Sequence, residues 1–94
     1  MVMGTKRVIM IGRHPDCDVT FPDDTVSRFH AELVLTEDGR VFLLDRNSTW
    51  GTHVHLGGRW KKLDRGDFVV PQMRLRIGQT ETDVATIITI ANAG

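Results

Sequence analysis

Ala31-Glu32-Leu33-Val34-Leu35-Thr36-Glu37-Asp38-Gly39-Arg40-Val41-Phe42-Leu43-Leu44 is the stretch that decides the fold class. Ala31, Leu33 and Leu35 recur at every second residue while Glu32 and Thr36 take alternate positions. A period of two turns one face of an extended strand inward and the other to water. Glu37 to Arg40 then breaks the pattern with turn residues, Gly39 supplying the positive φ that a tight hairpin requires. Val41 to Leu44 restores large apolar and β-branched side chains, so the segment reads as strand, turn and strand.

The same signature extends in both directions. Met73, Leu75 and Ile77 alternate with Arg74 and Arg76, and further strand-length apolar runs lie at Val8 to Ile11, Val19 to Phe21 and Phe68 to Val70. Turn-forming clusters separate them: His14-Pro15-Asp16, Pro22-Asp23-Asp24, Arg46-Asn47-Ser48, Gly57-Gly58, Asp64-Arg65-Gly66-Asp67 and Gly78-Gln79. This is the punctuation of an all-β chain. Val84 to Ile90 is apolar on both faces, which predicts a final strand buried between neighbours or beneath a second layer. Two packed sheets follow from that expectation.

With 94 residues there is material for one core and one domain, expected to span 1–94. A hydrophobic fraction of 40% and a charged fraction of 26% argue against disorder and fibrous repeats. Twelve basic residues balance twelve acidic ones, which removes the long-range attraction that non-specific nucleic-acid or anionic-membrane binding requires. Any phosphate site must therefore be local, and neither nucleic acid nor membrane is expected as a partner. Cys17 stands alone, so no internal disulfide is expected, and with no long apolar run the chain reads as a cytoplasmic protein.

Three pieces at strand ends and in loops carry the chemistry: Ile11-Gly12-Arg13, Val26-Ser27-Arg28-Phe29-His30-Ala31, and Asp45-Arg46-Asn47-Ser48-Thr49-Trp50-Gly51-Thr52. In order and spacing they resemble the Gly-Arg, Ser-Arg-x-His-Ala and Ser-x-Asn-Gly-Thr signatures of the forkhead-associated (FHA) domain family. Asp16 to Val19 and Gly66-Asp67 match further pieces of that pattern, and the resemblance runs over about residues 7 to 90. It implies a two-sheet β-sandwich of about ten or eleven short strands with recognition loops at one end. It also implies a non-catalytic module, part of a larger signalling or scaffold protein, that binds a phosphothreonine-containing partner without any cofactor.

Phosphothreonine carries about −1.5 to −2 charges near neutral pH and three acceptor oxygens, so its pocket needs a fixed cation and several neutral donors. Arg13, after Gly12 at the end of the first strand, offers a planar guanidinium with paired N–H groups that a lysine lacks. Ser27 adds a hydroxyl. By resemblance Thr49 reaches the phosphate or the threonine side chain, Arg28 faces the peptide, a solvated arginine being the alternative, His30 braces the Ser27 loop from within, and Gly51 and Thr52 are architectural. Trp50 departs from the family: it stands where an asparagine amide clamps the peptide backbone, and an indole offers one donor and no acceptor. It is expected to face the peptide, stacking on it, although occlusion of the groove or packing as core rim are the alternatives. A phosphate-independent interaction domain on the same fold is the competing function.

Other combinations are weaker. Ser27, His30 and Asp45 can be written as a triad, but neither a nucleophile elbow nor an oxyanion site accompanies them. His14, Cys17, His53 and His55 match no compact zinc framework, and no metal is expected. Trp60-Lys61-Lys62, with Arg59 and Arg65 nearby, has the ingredients of a single-stranded nucleic-acid site, yet in a neutral chain it reads as a solvated hairpin. Met1, Met3, Met10 and Met73 form no stripe.

Overall fold

In the computed structural model residues 4–94 are described; Met1 and Met3 fall outside them. Nine strands and one helix follow in order: β1 (Thr5–Gly12), β2 (Val19–Thr20), β3 (Ala31–Thr36), β4 (Val41–Asp45), β5 (Thr52–Leu56), β6 (Arg59–Lys62), β7 (Gly66–Val69), β8 (Arg74–Ile77), β9 (Thr80–Asp83) and α1 (Val84–Ala93). A five-stranded sheet in the order β2-β1-β3-β4-β7 faces a four-stranded sheet in the order β6-β5-β8-β9. The β-sandwich is thus as expected, with nine described strands in place of ten or eleven. The β3-β4 hairpin forms with Leu33 opposite Leu43, and Gly39 takes φ 87° in its turn.

Alternation places the core. Ile9, Ile11, Ala31, Leu33 and Leu43 from one sheet meet Leu75 and Ile77 from the other, all fully buried. Completely burying a leucine or isoleucine side chain contributes roughly 1.5–3 kcal/mol.

Val84 to Ile90 corrects the strand expectation: it is helical. Asp83 caps the helix, its carboxylate accepting the Thr86 N–H at 2.7 Å, which is the N-cap geometry that satisfies an otherwise orphan donor. Val84, Ile87 and Ala91 then share the buried stripe, with Ile88 packed beside it. β-Branched residues dominate the segment, and tertiary burial overrides their strand preference. At the helix end, the Arg7 guanidinium of β1 donates to the Asn92 side chain and to the Ala91 carbonyl, tying helix to sheet. Replacing the fully buried Ile87 by valine is expected to lower unfolding free energy by about 1 kcal/mol. The same change at the exposed Ile90 should stay within about 0.5 kcal/mol. Urea denaturation of both variants distinguishes helix from strand, since a strand buried on both faces would make the two losses alike.

The register also explains where the loops gather. Ile11 pairs with Ala31 and Ala31 with Asp45, while Thr52 pairs with Ile77. The connections after β1, before β3 and between β4 and β5 therefore leave the sandwich at one end. All three sequence pieces singled out above meet there.

Candidate functional site

Gly12 is the last residue of β1, and its role is one of close approach. A Cβ at this position would stand 2.0 Å from the Arg28 carbonyl oxygen. Absence of a side chain lets the loop before β3 close onto the strand, and it permits the His14 N–H to donate to that carbonyl at 3.1 Å. Arg13 follows directly. Its backbone N–H donates to the Ser27 carbonyl at 3.0 Å, and its Nε–H donates to the Val26 carbonyl, also at 3.0 Å. Two hydrogen bonds thereby orient an exposed guanidinium while leaving its terminal amino groups for an anion.

Arg13, Ser27, Arg28, Thr49 and Trp50 line one cleft of about 300 Å³, together with Asp24, Thr25 and Val26. The Ser27 hydroxyl oxygen accepts the Thr49 N–H at 3.2 Å, which leaves the hydroxyl proton to donate elsewhere. Trp50 is 51% exposed and lines the cleft. Two arginines face one aspartate around the cleft, giving it a positive local charge within a neutral chain. Thr25 was not singled out from the sequence, Asp24 was read only as a turn residue, and Val26 only as the start of the second motif. Val26 acts through its backbone carbonyl, which no side-chain pattern reveals.

His30 lies wholly buried beneath this surface. Its Nδ1 accepts the Ser27 backbone N–H and its Nε2 lies against the Gly51 carbonyl, both at 2.9 Å. An acceptor role at Nδ1 assigns the proton to Nε2, so the neutral ring bridges the two loops. Burial pushes its pKa below the ordinary imidazole value; the Gly51 contact and the Asp45 charge oppose that shift without reversing it. The ring touches the Ser27 amide and not its hydroxyl, so it is not placed to activate that hydroxyl as a nucleophile.

The third loop is organised by Asp45. Its carboxylate accepts from Ser48 Oγ at 2.6 Å, the Ser48 N–H at 3.0 Å and Thr52 Oγ1 at 2.7 Å. Burial raises its pKa, and these hydrogen bonds together with nearby His30 outweigh burial, leaving it low. Ser48 Oγ also accepts the Gly51 N–H at 3.0 Å. Gly51 is buried at φ 86°, a conformation that L side chains rarely adopt, and it delivers the carbonyl that His30 meets. Thr52 is fully buried. Among the described residues no group of three or more His, Cys, Asp or Glu side chains is arranged to hold a metal ion. No described helix is long and apolar enough to cross a membrane.

Comparison with known proteins gives this geometry a context. The chain is 43% identical over 61 residues to the human nuclear inhibitor of protein phosphatase 1, an alignment covering 60% of this chain and 17% of that protein. It therefore spans less than a fifth of that relative's length. Among solved structures, the FHA domain of the CT664 protein from Chlamydia trachomatis superposes with a TM-score of 0.71 at 25% identity, covering 80% of this chain and 71% of that one. The N-terminal FHA domain of Saccharomyces cerevisiae Rad53p, solved with a phosphothreonine peptide, superposes with a TM-score of 0.67 at 26% identity, covering 83% and 61%. The FHA domain family model matches residues 9–79, most of the sandwich and all three loops of the cleft. The chain belongs to the FHA domain family.

Proposed function

We propose that this chain is a phosphothreonine-dependent protein-interaction module without catalytic turnover. The observation that carries the reading is the Arg13 guanidinium, held at Nε by the Val26 carbonyl and lining one cleft with Ser27 and Thr49. A fixed fork of N–H donors beside two hydroxyl groups suits a doubly charged phosphate monoester. Binding of a phosphothreonine peptide by the Rad53p domain supports the assignment. Trp50 forms the wall where the peptide chain passes, and its half-exposed indole is suited to stack on an apolar side chain.

Titration with matched phosphorylated and unphosphorylated threonine peptides tests the reading. The phosphorylated peptide is expected to bind at least about tenfold more tightly, since one charge-assisted hydrogen bond contributes about 1.5–3 kcal/mol. The second phosphate ionisation lies near pH 6, so the advantage should shrink as pH falls below about 6 and as salt rises. The unphosphorylated peptide controls for loss of folded protein. An advantage that stays constant from about pH 7.5 to 5 would count against phosphate recognition.

A phosphate-independent assembly domain is the second reading. Val8, Val34, Phe42 and Phe68 form one cross-strand row on the outer face of the five-stranded sheet, with Val8 44% and Phe68 46% exposed. Equal affinity for the two peptides would favour this reading.

A further inference from the structure

The outer face of the four-stranded sheet collects positive charge next to the cleft. On it, His53 stands opposite Lys62 on one side and Arg76 on the other. Neither Lys62 nor Arg76 forms an ion pair with a carboxylate among the described residues; Glu81, opposite Arg76, is held by Arg74 at 3.2 Å. Arg76 instead places its guanidinium 4.3 Å from the centre of the Trp60 ring. This face continues the cleft wall, because a Cβ on Gly51, the neighbour of Trp50, would lie 2.9 Å from Lys62 Cε and 3.4 Å from His53 Cε1.

Two cations on one face, on either side of the β5 strand, raise the local positive potential, and an acidic ligand is drawn to it. We infer that Lys62 and Arg76 extend the cleft past Trp50 and select partners carrying acidic residues beside the phosphothreonine, an inference that rests on the phosphothreonine reading. At the cleft itself the exposed Asp24 carboxylate repels such residues, so the attraction lies on the Gly51 side. A nucleic-acid strand fits less well. Arg76 covers one face of Trp60 and His55 meets the ring edge-on with centroids 5.0 Å apart, which limits the aromatic surface for stacking bases.

The test uses short alanine-based peptides with a central phosphothreonine, flanked by glutamate or by glutamine on either side, and the unphosphorylated glutamate peptide as a third arm. At low salt the glutamate-flanked phosphopeptide is expected to bind about threefold to tenfold more tightly than its glutamine counterpart, as two exposed charge pairs would give. K62Q/R76Q should abolish that difference and leave the glutamine-flanked peptide unchanged. The exposed single variant K62Q should remove about half of the effect on a logarithmic scale and guards against misfolding of the double variant. Equal affinity of the two phosphopeptides overturns this inference alone, whereas no preference for any phosphorylated peptide overturns it together with the reading beneath it. Tight binding of a single-stranded oligonucleotide that K62Q/R76Q abolishes, with no discrimination among peptides, assigns the face to nucleic acid and also overturns it.

Discussion

Replacing Arg13 by alanine is expected to reduce phosphothreonine-peptide affinity by about tenfold to more than a hundredfold while lowering unfolding free energy by only about 1 kcal/mol. The affinity estimate follows from losing a charge-assisted, paired contact of about 1.5–3 kcal/mol, where about 1.4 kcal/mol is tenfold. The stability estimate follows from how little is lost: Arg13 has no ion-pair partner among the described residues, and its truncation removes one part-buried hydrogen bond, to the carbonyl of the buried Val26, which contributes about 1 kcal/mol. Arg13→Lys sharpens the test. Lysine restores the charge but cannot present a planar fork, so it should recover only a minor part of the lost affinity. Calorimetric titration of both variants, with urea denaturation alongside, gives the two quantities. Full affinity in Arg13→Ala would remove the guanidinium from the site and with it the phosphate reading.

The contrast between Arg13 and its surroundings shows what the sequence made legible. Turn clusters and the period of two placed the hairpin at Ala31 to Leu44 correctly, because half-buried strands leave an alternating trace. The ordered motifs led to the family, and the residues they named line or underlie one end of the sandwich. Three things stayed hidden for physical reasons. Val84 to Ile90 is rich in β-branched residues, and the helical stripe of Val84, Ile87 and Ala91 is short enough to read equally as a two-faced strand. Its decisive signal was Asp83, a capping residue followed three positions later by Thr86, whose N–H it accepts. β9 was missed as well: Thr80 to Asp83 has no apolar residue, and its pairing with β8 rests on backbone bonds at a sheet edge. Gly12 was recognised, yet its reason is spatial, a carbonyl 2.0 Å from where a Cβ would sit. Such approaches depend on residues distant in the chain, which no local window encodes.

His30→Ala is expected to cost about 2–4 kcal/mol of stability and, in the fraction that stays folded, to weaken phosphopeptide binding. Truncation opens a cavity at a fully buried site, leaves the Ser27 N–H without its partner and takes one of two donors from the Gly51 carbonyl, which keeps the Gly78 N–H at 3.1 Å. Both belong to loops that shape the cleft, so Ser27 and Thr49 lose their shared brace although His30 itself faces away from any ligand. The pH dependence identifies the mechanism. In the native state burial holds the imidazole pKa below the ordinary value of about 6.5, whereas the unfolded chain titrates near that value. Between the two the unfolded state binds more protons, so the stability due to neutral His30 is complete above about pH 6.5 and declines as pH falls below it. His53, also held low by burial and by Arg76 and Lys62, adds to the same window in the parent protein. The difference between parent and variant isolates His30: the stability gap measured by urea denaturation should be widest near pH 7 and narrow towards pH 5. A gap that stayed constant across that range would mean that the ring contributes packing alone, and that the neutral bridge between the loops is not what holds the cleft in shape.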